Sequence, residues 1–390
     1  MRGNFTVIVK TTNRCNLRCL YCYHGESDYT NVDLSLDKFE KMVALCSKEN
    51  YNTKYIMHGG EPLLRDANFY KEAIEICQKL HKQNKTNYIM NIQSNLTTDI
   101  SDEMISIIKE NNMKVGTSFD GSQNEILRGK TDKFLTNLRR LQDNGIETSN
   151  IFIVNKLNYK YIMEDLEYMI DELGFMGFSP HIIFNYGNYL DNEKVLHLDS
   201  ETNASIYMQL FEWWWFNNPK NISIRFVENA MLTLITGQGQ LCDQCGICMG
   251  KFMGISPDGN LFPCGRWYKD EHKIGHVNTL ENINDAYNSV AFKNILESSK
   301  VRRKKCEACD VYSVCKGNCD LVHSLHGDIS EAHADNETCK LFKNFYPYVQ
   351  ARLPEIKEKF PYIYDEKMKN LTNKLKRKNG GDRGIRKYVK

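Results

Sequence analysis

Charge of one sign is scarce in this sequence. Of 390 residues, 51 are Lys or Arg and 49 are Asp or Glu, a formal net charge of +2. So near a balance excludes the broad electrostatic footprint expected of a nucleic-acid-binding or membrane-surface protein. Long apolar runs are missing too: none approaches the roughly 20 residues that span a bilayer. The N-terminal MRGNFTVIVKTTNR has too short an apolar part for a secretory signal and lacks a small-residue cleavage site. No segment recurs at a fixed period, as a solenoid or propeller would require. What remains is the profile of a soluble, cytoplasmic, globular chain, 41% hydrophobic, long enough for roughly two or three domains.

Cysteine, by contrast, is abundant, with fourteen residues. A reducing cytosol does not preserve disulfides, so clustered thiols in a chain of this size point to metal or cluster ligation. All but Cys46 and Cys77 fall into three groups, at 15–22, 242–264 and 306–339. Cys46 and Cys77 instead share helical spacing with apolar neighbours, which makes them core thiols.

The first half alternates between β-rich runs and amphipathic helical patterns. The runs FTVIV, KYIMH, YIMNI, KVGTSF, TSNIFIV and PHIIF are separated by segments such as LSLDKFEKMVALCSK and DANFYKEAIEICQKLHK. This is the pattern of repeated βαβ units. It predicts an α/β fold with a partial (β/α)6, TIM-like barrel over residues 1–195, whose ligands belong at the C-terminal ends of the strands. A helical linker is expected over 196–240. A Cys-rich, irregular domain with short β and helical elements follows over 241–350, where ligated metal replaces part of the core. A basic C-terminal helix or tail occupies 351–390. The three consecutive tryptophans at 213–215 cannot all face one core, so one is expected to meet another domain or a partner. The basic end of the chain reads as a solvated tail, with a docking arm for an acidic partner as the alternative.

Cys15, Cys19 and Cys22 supply three thiolates, one short of a closed cubane or zinc site. A zinc site completed by His24 or a distant residue is one way to fill the gap. The surroundings point elsewhere. The loop Cys15-Asn-Leu-Arg-Cys19-Leu-Tyr21-Cys22, the sequence His58-Gly59-Gly60-Glu61-Pro62, then Gln93-Ser94-Asn95 and Ser118-Phe119-Asp120-Gly121 each follow a predicted strand. In that order they resemble the motifs of the radical S-adenosylmethionine (radical SAM) enzymes.

The resemblance implies that the amino and carboxylate groups of S-adenosylmethionine take the open iron, and that reductive cleavage yields a 5′-deoxyadenosyl radical that abstracts hydrogen from substrate. It implies cofactor contacts from Tyr21, Gly59, Gly60, Glu61, Gln93, Asn95 and Ser118, with Glu61 pairing with an ammonium group. Arg128, after the Ser118–Gly121 strand end, is a candidate contact to the cofactor's carboxylate or to the peptide, with a surface salt bridge as the alternative. An external one-electron donor of flavodoxin or ferredoxin type is implied as well.

Cys306-x2-Cys309-x5-Cys315-x3-Cys319, with Cys339 and the upstream Gly259-x4-Cys264, looks like the SPASM extension of peptide-modifying radical SAM enzymes. Taken alone, the downstream run also suits a zinc site of four cysteines. The resemblance assigns one auxiliary cluster to Cys242, Cys248, Cys264 and Cys319, and the other to Cys306, Cys309, Cys315 and Cys339. That makes three [4Fe-4S] clusters in all and leaves Cys245 over, either as an alternative ligand to its neighbours Cys242 and Cys248 or as a free thiol near substrate.

The expected activity is a peptide or protein maturase that installs a carbon–carbon or thioether crosslink in a ribosomally made peptide. With no N-terminal peptide-binding domain expected before the triplet, any leader recognition would need a separate leader-recognition protein, the SPASM surface or the basic tail. The alternative is an anaerobic sulfatase-maturing, formylglycine-forming enzyme. Enzymes of that type carry an Asp directly after the cysteine of the G-x4-C element, where this chain has Gly265. Arg266, Tyr268, Asp270 and Glu271 are the candidate catalytic residues, and Trp267 is a candidate wall of the substrate channel. The rival from another class is a non-catalytic iron–sulfur or zinc protein.

Overall fold

The computed structural model describes residues 4–24, 30–49 and 52–380. Seven parallel strands form the centre: β1 (Asn4–Thr12), β2 (Asn52–Gly59), β3 (Asn87–Ser94), β4 (Val115–Ser118), β5 (Thr148–Val154), β6 (Gly177–Ile182) and the short β7 (Ser223–Ile224), each paired with the next. Between them run α1 (Leu36–Glu49), α2 (Ala67–Asn84), α3 (Asp102–Glu110), α4 (Asn124–Leu127), α5 (Thr131–Asp143), α6 (Ile162–Asp171), α7 (Tyr189–Leu196) and α8 (Ser200–Phe216). The helix starts are written in the sequence. Asp66 accepts from Phe69 N at 2.9 Å and Ser101 from Met104 N at 3.1 Å, satisfying donors that the first turn leaves open.

One core joins strands to helices. Val7, Val9, Tyr55 and Met57 of the sheet pack with Phe39, Met42 and Cys46 of α1 and with Tyr70, Ala73 and Cys77 of α2. Cys46 and Cys77 are fully buried there, as their helical spacing predicts.

After α9 (Arg225–Thr236) the chain returns to the sheet instead of forming a detached body. Strand β8 (Phe252–Ile255) pairs in parallel with β1, β9 (Asn260–Phe262) runs antiparallel to β8, and β10 (Gly275–His276) antiparallel to β9. The ten-stranded sheet has β10 and β7 at its edges. The second cysteine region is therefore welded to the first barrel strand. It continues through α10 (Ile283–Tyr287), α11 (Val290–Cys306), α12 (Tyr312–Cys315) and α13 (Asp320–Ser324).

The last helices, α14 (Glu337–Lys359) and α15 (Pro361–Gly380), cover α8. This is how three consecutive tryptophans are accommodated: Trp213, Trp214 and Trp215 are all buried. Trp215 stacks on Tyr364 at 5.8 Å and 6°, and Lys367 lies 5.2 Å from the Trp214 ring while donating to Asn218 O at 2.9 Å. The expectation of a solvated tail is corrected for this stretch, since Lys367 and Leu371 are buried in the helical layer. Residues 381–390 of the basic end lie outside the described residues. No helix among the described residues is long and apolar enough to cross a membrane.

Candidate active site

Strand β1 ends at Thr12, and the chain turns at once into the cysteine loop. Two glycines let neighbouring backbones hold that loop. A Cβ on Gly60 would sit 2.1 Å from Arg14 O, so only glycine admits this approach. Gly60 N then donates to Thr12 O at 3.0 Å and Glu61 N to Arg14 O at 2.8 Å. On the far side Gly187, at φ +65°, passes within 2.3 Å of Cys22 O by the same measure, and Asn188 N donates to Cys22 O at 2.9 Å. Asn188 Nδ2 donates to Cys19 O at 3.1 Å.

Cys15, Cys19 and Cys22 face one another. Burial pushes the Cys15 thiol up to about 12, against a backbone hydrogen bond from Leu17, and Glu61, Cys19 and Cys22 add to the rise. Burial likewise raises Cys19 to about 11, with the Arg128 guanidinium pulling the other way.

The strand-end motifs surround this loop. Tyr21 hydroxyl bonds to Asp120, and Arg128 donates to the same hydroxyl at 2.8 Å. The other Asp120 oxygen accepts from Ile153 N at 2.9 Å, tying β5 to the loop. Asn95 Nδ2 lies 3.9 Å from Cys15 Sγ and donates to Asn16 Oδ1 at 2.9 Å. Gln93 reaches Ser118 across β3 and β4 at 3.5 Å.

Glu61 is held by the protein. Its side chain is fully buried, and its oxygens accept from Leu63 N at 2.9 Å, Ser94 Oγ at 2.7 Å and Asn95 N at 2.7 Å. Three protein donors hold the carboxylate, so it clamps the ends of β2 and β3, a role the sequence did not suggest. Asp120, which organises Tyr21, was legible only as one letter of the Ser118–Gly121 motif.

The nine remaining clustered cysteines sort into two groups. Cys248 is raised by burial and then by Cys319, Cys264 and Cys242. Burial holds Cys264 at about 12, with Cys319 adding to it, and Cys319 at about 12, with Cys242 adding to it. In the second group, burial raises Cys315 to about 12 with Cys339 and Cys306 as neighbours, and Cys306 is raised by burial while also facing Cys309. Cys245 stands at the margin, its Sγ 3.5 Å from Cys242 O and 4.0 Å from Lys251 Nζ.

All fourteen cysteines are free thiols. Sulfurs gathered this way repel one another once ionised, and they need a cationic centre among them. Among the described residues, no three His, Cys, Asp or Glu side chains converge tightly enough for a single ion. Ligands of a cubane each meet a separate iron and stand farther apart, so these groupings fit a multi-iron core.

A buried ionic node holds the auxiliary cysteine segments together. Arg302 and Arg303 lie one turn before Cys306 on α11. Arg302 donates to Asp320 Oδ1 at 2.6 Å and to Gly317 O at 3.1 Å. Arg303 donates to Gly246 O at 3.0 Å and Asn318 O at 3.0 Å. Ser299 also donates to Asp320 at 2.6 Å. The loops bearing Cys245 and Cys248, Cys306, and Cys315 and Cys319 are thus tied to one point. Sequence reasoning missed this node, although two arginines at i−4 and i−3 from a ligand cysteine on a helix were a visible signal.

Between the barrel rim and α11–α13 lies a cleft of about 220 Å³, lined by Tyr186, Arg266, Trp267, Tyr268, Lys269 and Glu271 among others. Arg266 sits 4.1 Å over the Phe184 ring. Tyr268 neighbours His24 at 6.1 Å and Lys10 at 4.9 Å, on the barrel side. Asp270 is 91% exposed and paired with Lys273 at 3.1 Å, and it does not line the cleft. Glu271 lies 3.5 Å from His272. At position 265 a Cβ would meet Ile8 Cγ2 at 2.5 Å and Ile8 Cβ at 2.6 Å. The central strand β1 therefore leaves no room there for an aspartate.

A barrel with a three-cysteine loop at its strand ends, joined to two further cysteine groups, defines an iron–sulfur enzyme class, and the comparisons give its family. The Radical SAM superfamily profile matches residues 9–169, and that of the SPASM iron–sulfur cluster-binding domain matches residues 239–310. MJ0907, an uncharacterised protein of Methanocaldococcus jannaschii, is 32% identical over 310 residues, covering 77% of this chain and 94% of its own length. The cysteine-type anaerobic sulfatase-maturating enzyme of Clostridium novyi is 26% identical over 383 residues, covering 93% of this chain and 99% of that protein. The solved structure of native anSMEcpe with bound AdoMet shares the fold at TM-score 0.77 and 21% identity, covering 91% of this chain and 99% of that one.

The chain belongs to the radical SAM superfamily and carries a SPASM domain. It is a radical SAM enzyme whose cofactors are iron–sulfur clusters and S-adenosylmethionine, which sets aside the non-catalytic reading. The expected crosslink-forming maturase is corrected as well, because several relatives matched over nearly their whole length, the Clostridium novyi protein among them, are sulfatase-maturating enzymes. Gly265 had weighed against that type.

Proposed function

We propose that this enzyme oxidises a cysteine side chain of a protein or peptide substrate to formylglycine, as a maturase of the sulfatase-maturating type. The observation that carries the reading is the end-to-end similarity to the Clostridium novyi enzyme, which spans the barrel and both auxiliary cysteine groups alike. In this reading Cys15, Cys19 and Cys22 hold the cluster that receives S-adenosylmethionine. Cys242, Cys248, Cys264 and Cys319 hold a second cluster, and Cys306, Cys309, Cys315 and Cys339 a third. The mutual approach of the thiols within each group supports this division.

When bound, S-adenosylmethionine and the clusters supply the hydrogen-abstracting radical and the acceptor for the remaining electron. The chain's own part is to orient the target and exclude water. Asn95 and the Tyr21–Asp120–Arg128 set fix the loop on which the cofactor sits. The target carbon loses a hydrogen atom and its thiol a proton. Hydrolysis of the resulting thioaldehyde gives the aldehyde and hydrogen sulfide. Because position 265 has no space for a carboxylate, the thiol proton leaves by a different route from that of an aspartate beside the ligand cysteine.

The test is anaerobic incubation of the reconstituted, reduced protein with S-adenosylmethionine and a cysteine-containing sulfatase peptide. The reading requires exchange of sulfur for oxygen, seen by mass spectrometry, and capture of a carbonyl by a hydrazide. A peptide recovered unchanged, or crosslinked without a carbonyl, overturns it.

A further inference from the structure

Among the described residues, the guanidinium of Arg266 is held without a hydrogen-bond acceptor of its own. It lies 4.1 Å over the Phe184 ring, and the carboxyl of Asp243 is a charge neighbour whose buried Oδ1 accepts no hydrogen bond from it. Its charge neighbours within the protein include Cys242, Cys319 and Cys264 and Asp243. It also lines the 220 Å³ cleft. Lys269 adds a second cation at the cleft, 5.5 Å from the Tyr186 ring. The acidic member, Glu271, already faces His272. Ile295, Leu321 and Leu325 form an apolar wall opposite, which strengthens any charge pairing made against it.

A planar, preorganised guanidinium with free donors matches a carboxylate in bidentate fashion. The volume admits one or two side chains and is too small for a cofactor. Tyr268 forms a wall of the cleft and also neighbours Lys10 and His24 on the barrel side. A residue seated in the cleft is therefore a close neighbour of one presented at the barrel mouth.

We infer that this cleft receives a carboxylate of the peptide substrate close to the target residue, and that Arg266 is the specificity-determining group. The inference rests on the proposed peptide-oxidising function and adds the charge class of the substrate.

The experiment is binding without turnover. Fluorescently labelled cysteine peptides are titrated anaerobically into the reconstituted, S-adenosylmethionine-loaded protein in the absence of reductant. Peptides differ by Glu or Gln at single positions flanking the cysteine, and each is made with a free and an amidated C-terminus. A hydrogen-bonded carboxylate–guanidinium pair predicts that one Glu position tightens binding about 10- to 100-fold over Gln. Arg266→Met should erase that preference and Arg266→Lys restore only part of it, the bidentate geometry being lost. Preference for the free over the amidated end assigns the carboxylate to a chain terminus. Equal binding of all Glu and Gln peptides, free and amidated, by the unmodified protein overturns the inference and needs no variant to fold. So does a preference that survives in Arg266→Met. A shift in auxiliary-cluster reduction potential in that variant, with peptide discrimination intact, would show that Arg266 serves the cluster alone. Because no turnover is involved, failure of this subsite and failure of formylglycine formation are read separately.

Discussion

The substitution Asp320→Asn tests whether the ionic node organises the auxiliary cysteines. Asp320 Oδ1 accepts from Arg302 at 2.6 Å and from Ser299 at 2.6 Å, and lies 3.3 Å from Arg303. The three charged side chains are 4%, 0% and 7% exposed respectively for Asp320, Arg302 and Arg303. Asparagine keeps the shape and an acceptor oxygen but removes the charge, leaving two buried guanidiniums without a carboxylate partner. Stranding buried charge in this way costs about 3–5 kcal/mol. A solvent-exposed pair such as Lys114–Glu147, at 58% and 67% exposure, is worth about 0–1 kcal/mol and serves as the control through Lys114→Ala. The assay is anaerobic urea unfolding of the reconstituted protein, together with iron per chain. Asp320→Asn should lower stability by several times the control value and reduce iron loading, because the arginines also hold Gly246, Gly317 and Asn318 in the cysteine loops. Adding Arg302→Met to Asp320→Asn should recover part of the loss. Stability within about 1 kcal/mol of wild type, with full iron content, would refute the node's role.

Two further substitutions probe glycines at the site. Gly60→Ala places a methyl group 2.1 Å from Arg14 O, so the cysteine loop must move. The expectation is a loss of about 1–3 kcal/mol together with selective loss of the S-adenosylmethionine-binding cluster, read by electron paramagnetic resonance with the auxiliary signals retained. Gly265→Asp should fail to raise formylglycine yield and should destabilise by about 1–3 kcal/mol, since its Cβ would meet Ile8 at 2.5 Å. Pairing it with Ile8→Ala should relieve part of that cost in a thermal melt.

Much of the fold was legible because its signals are local and periodic. Alternation in β1 and the 3.6-residue spacing in α1 and α2 mark one buried face each, and the structure buries those faces. The cysteine spacings were legible for a similar reason, since ligands of one centre recur at short intervals. Other features depend on contacts distant in sequence. The pairing of β8 with β1 joins segments more than half the chain apart, and no composition shift announces it. The fate of the three tryptophans is settled by Tyr364 and Lys367, side chains of a helix that reads as merely basic. Glu61 was legible as part of a motif whose carboxylate can pair with an ammonium group, but not as a clamp, because its donors Leu63 N, Ser94 Oγ and Asn95 N are set by the fold. Gly265 weighed against the sulfatase-maturating type as a single position, whereas the similarity to the Clostridium novyi enzyme is spread over 93% of the chain; that Ile8 fills the space above Gly265 is visible only in the structure.

The account turns on the Cys15–Cys19–Cys22 loop holding a cluster whose remaining iron takes S-adenosylmethionine. The direct measurement is 5′-deoxyadenosine released by anaerobically reconstituted, dithionite-reduced protein, compared with the Cys19→Ala variant. The account predicts release by the wild type, with about twelve irons per chain for three cubanes. In the variant it predicts no release and a loss of about four irons. Release that persists undiminished in Cys19→Ala, or none from fully loaded, reduced wild-type protein, would contradict it.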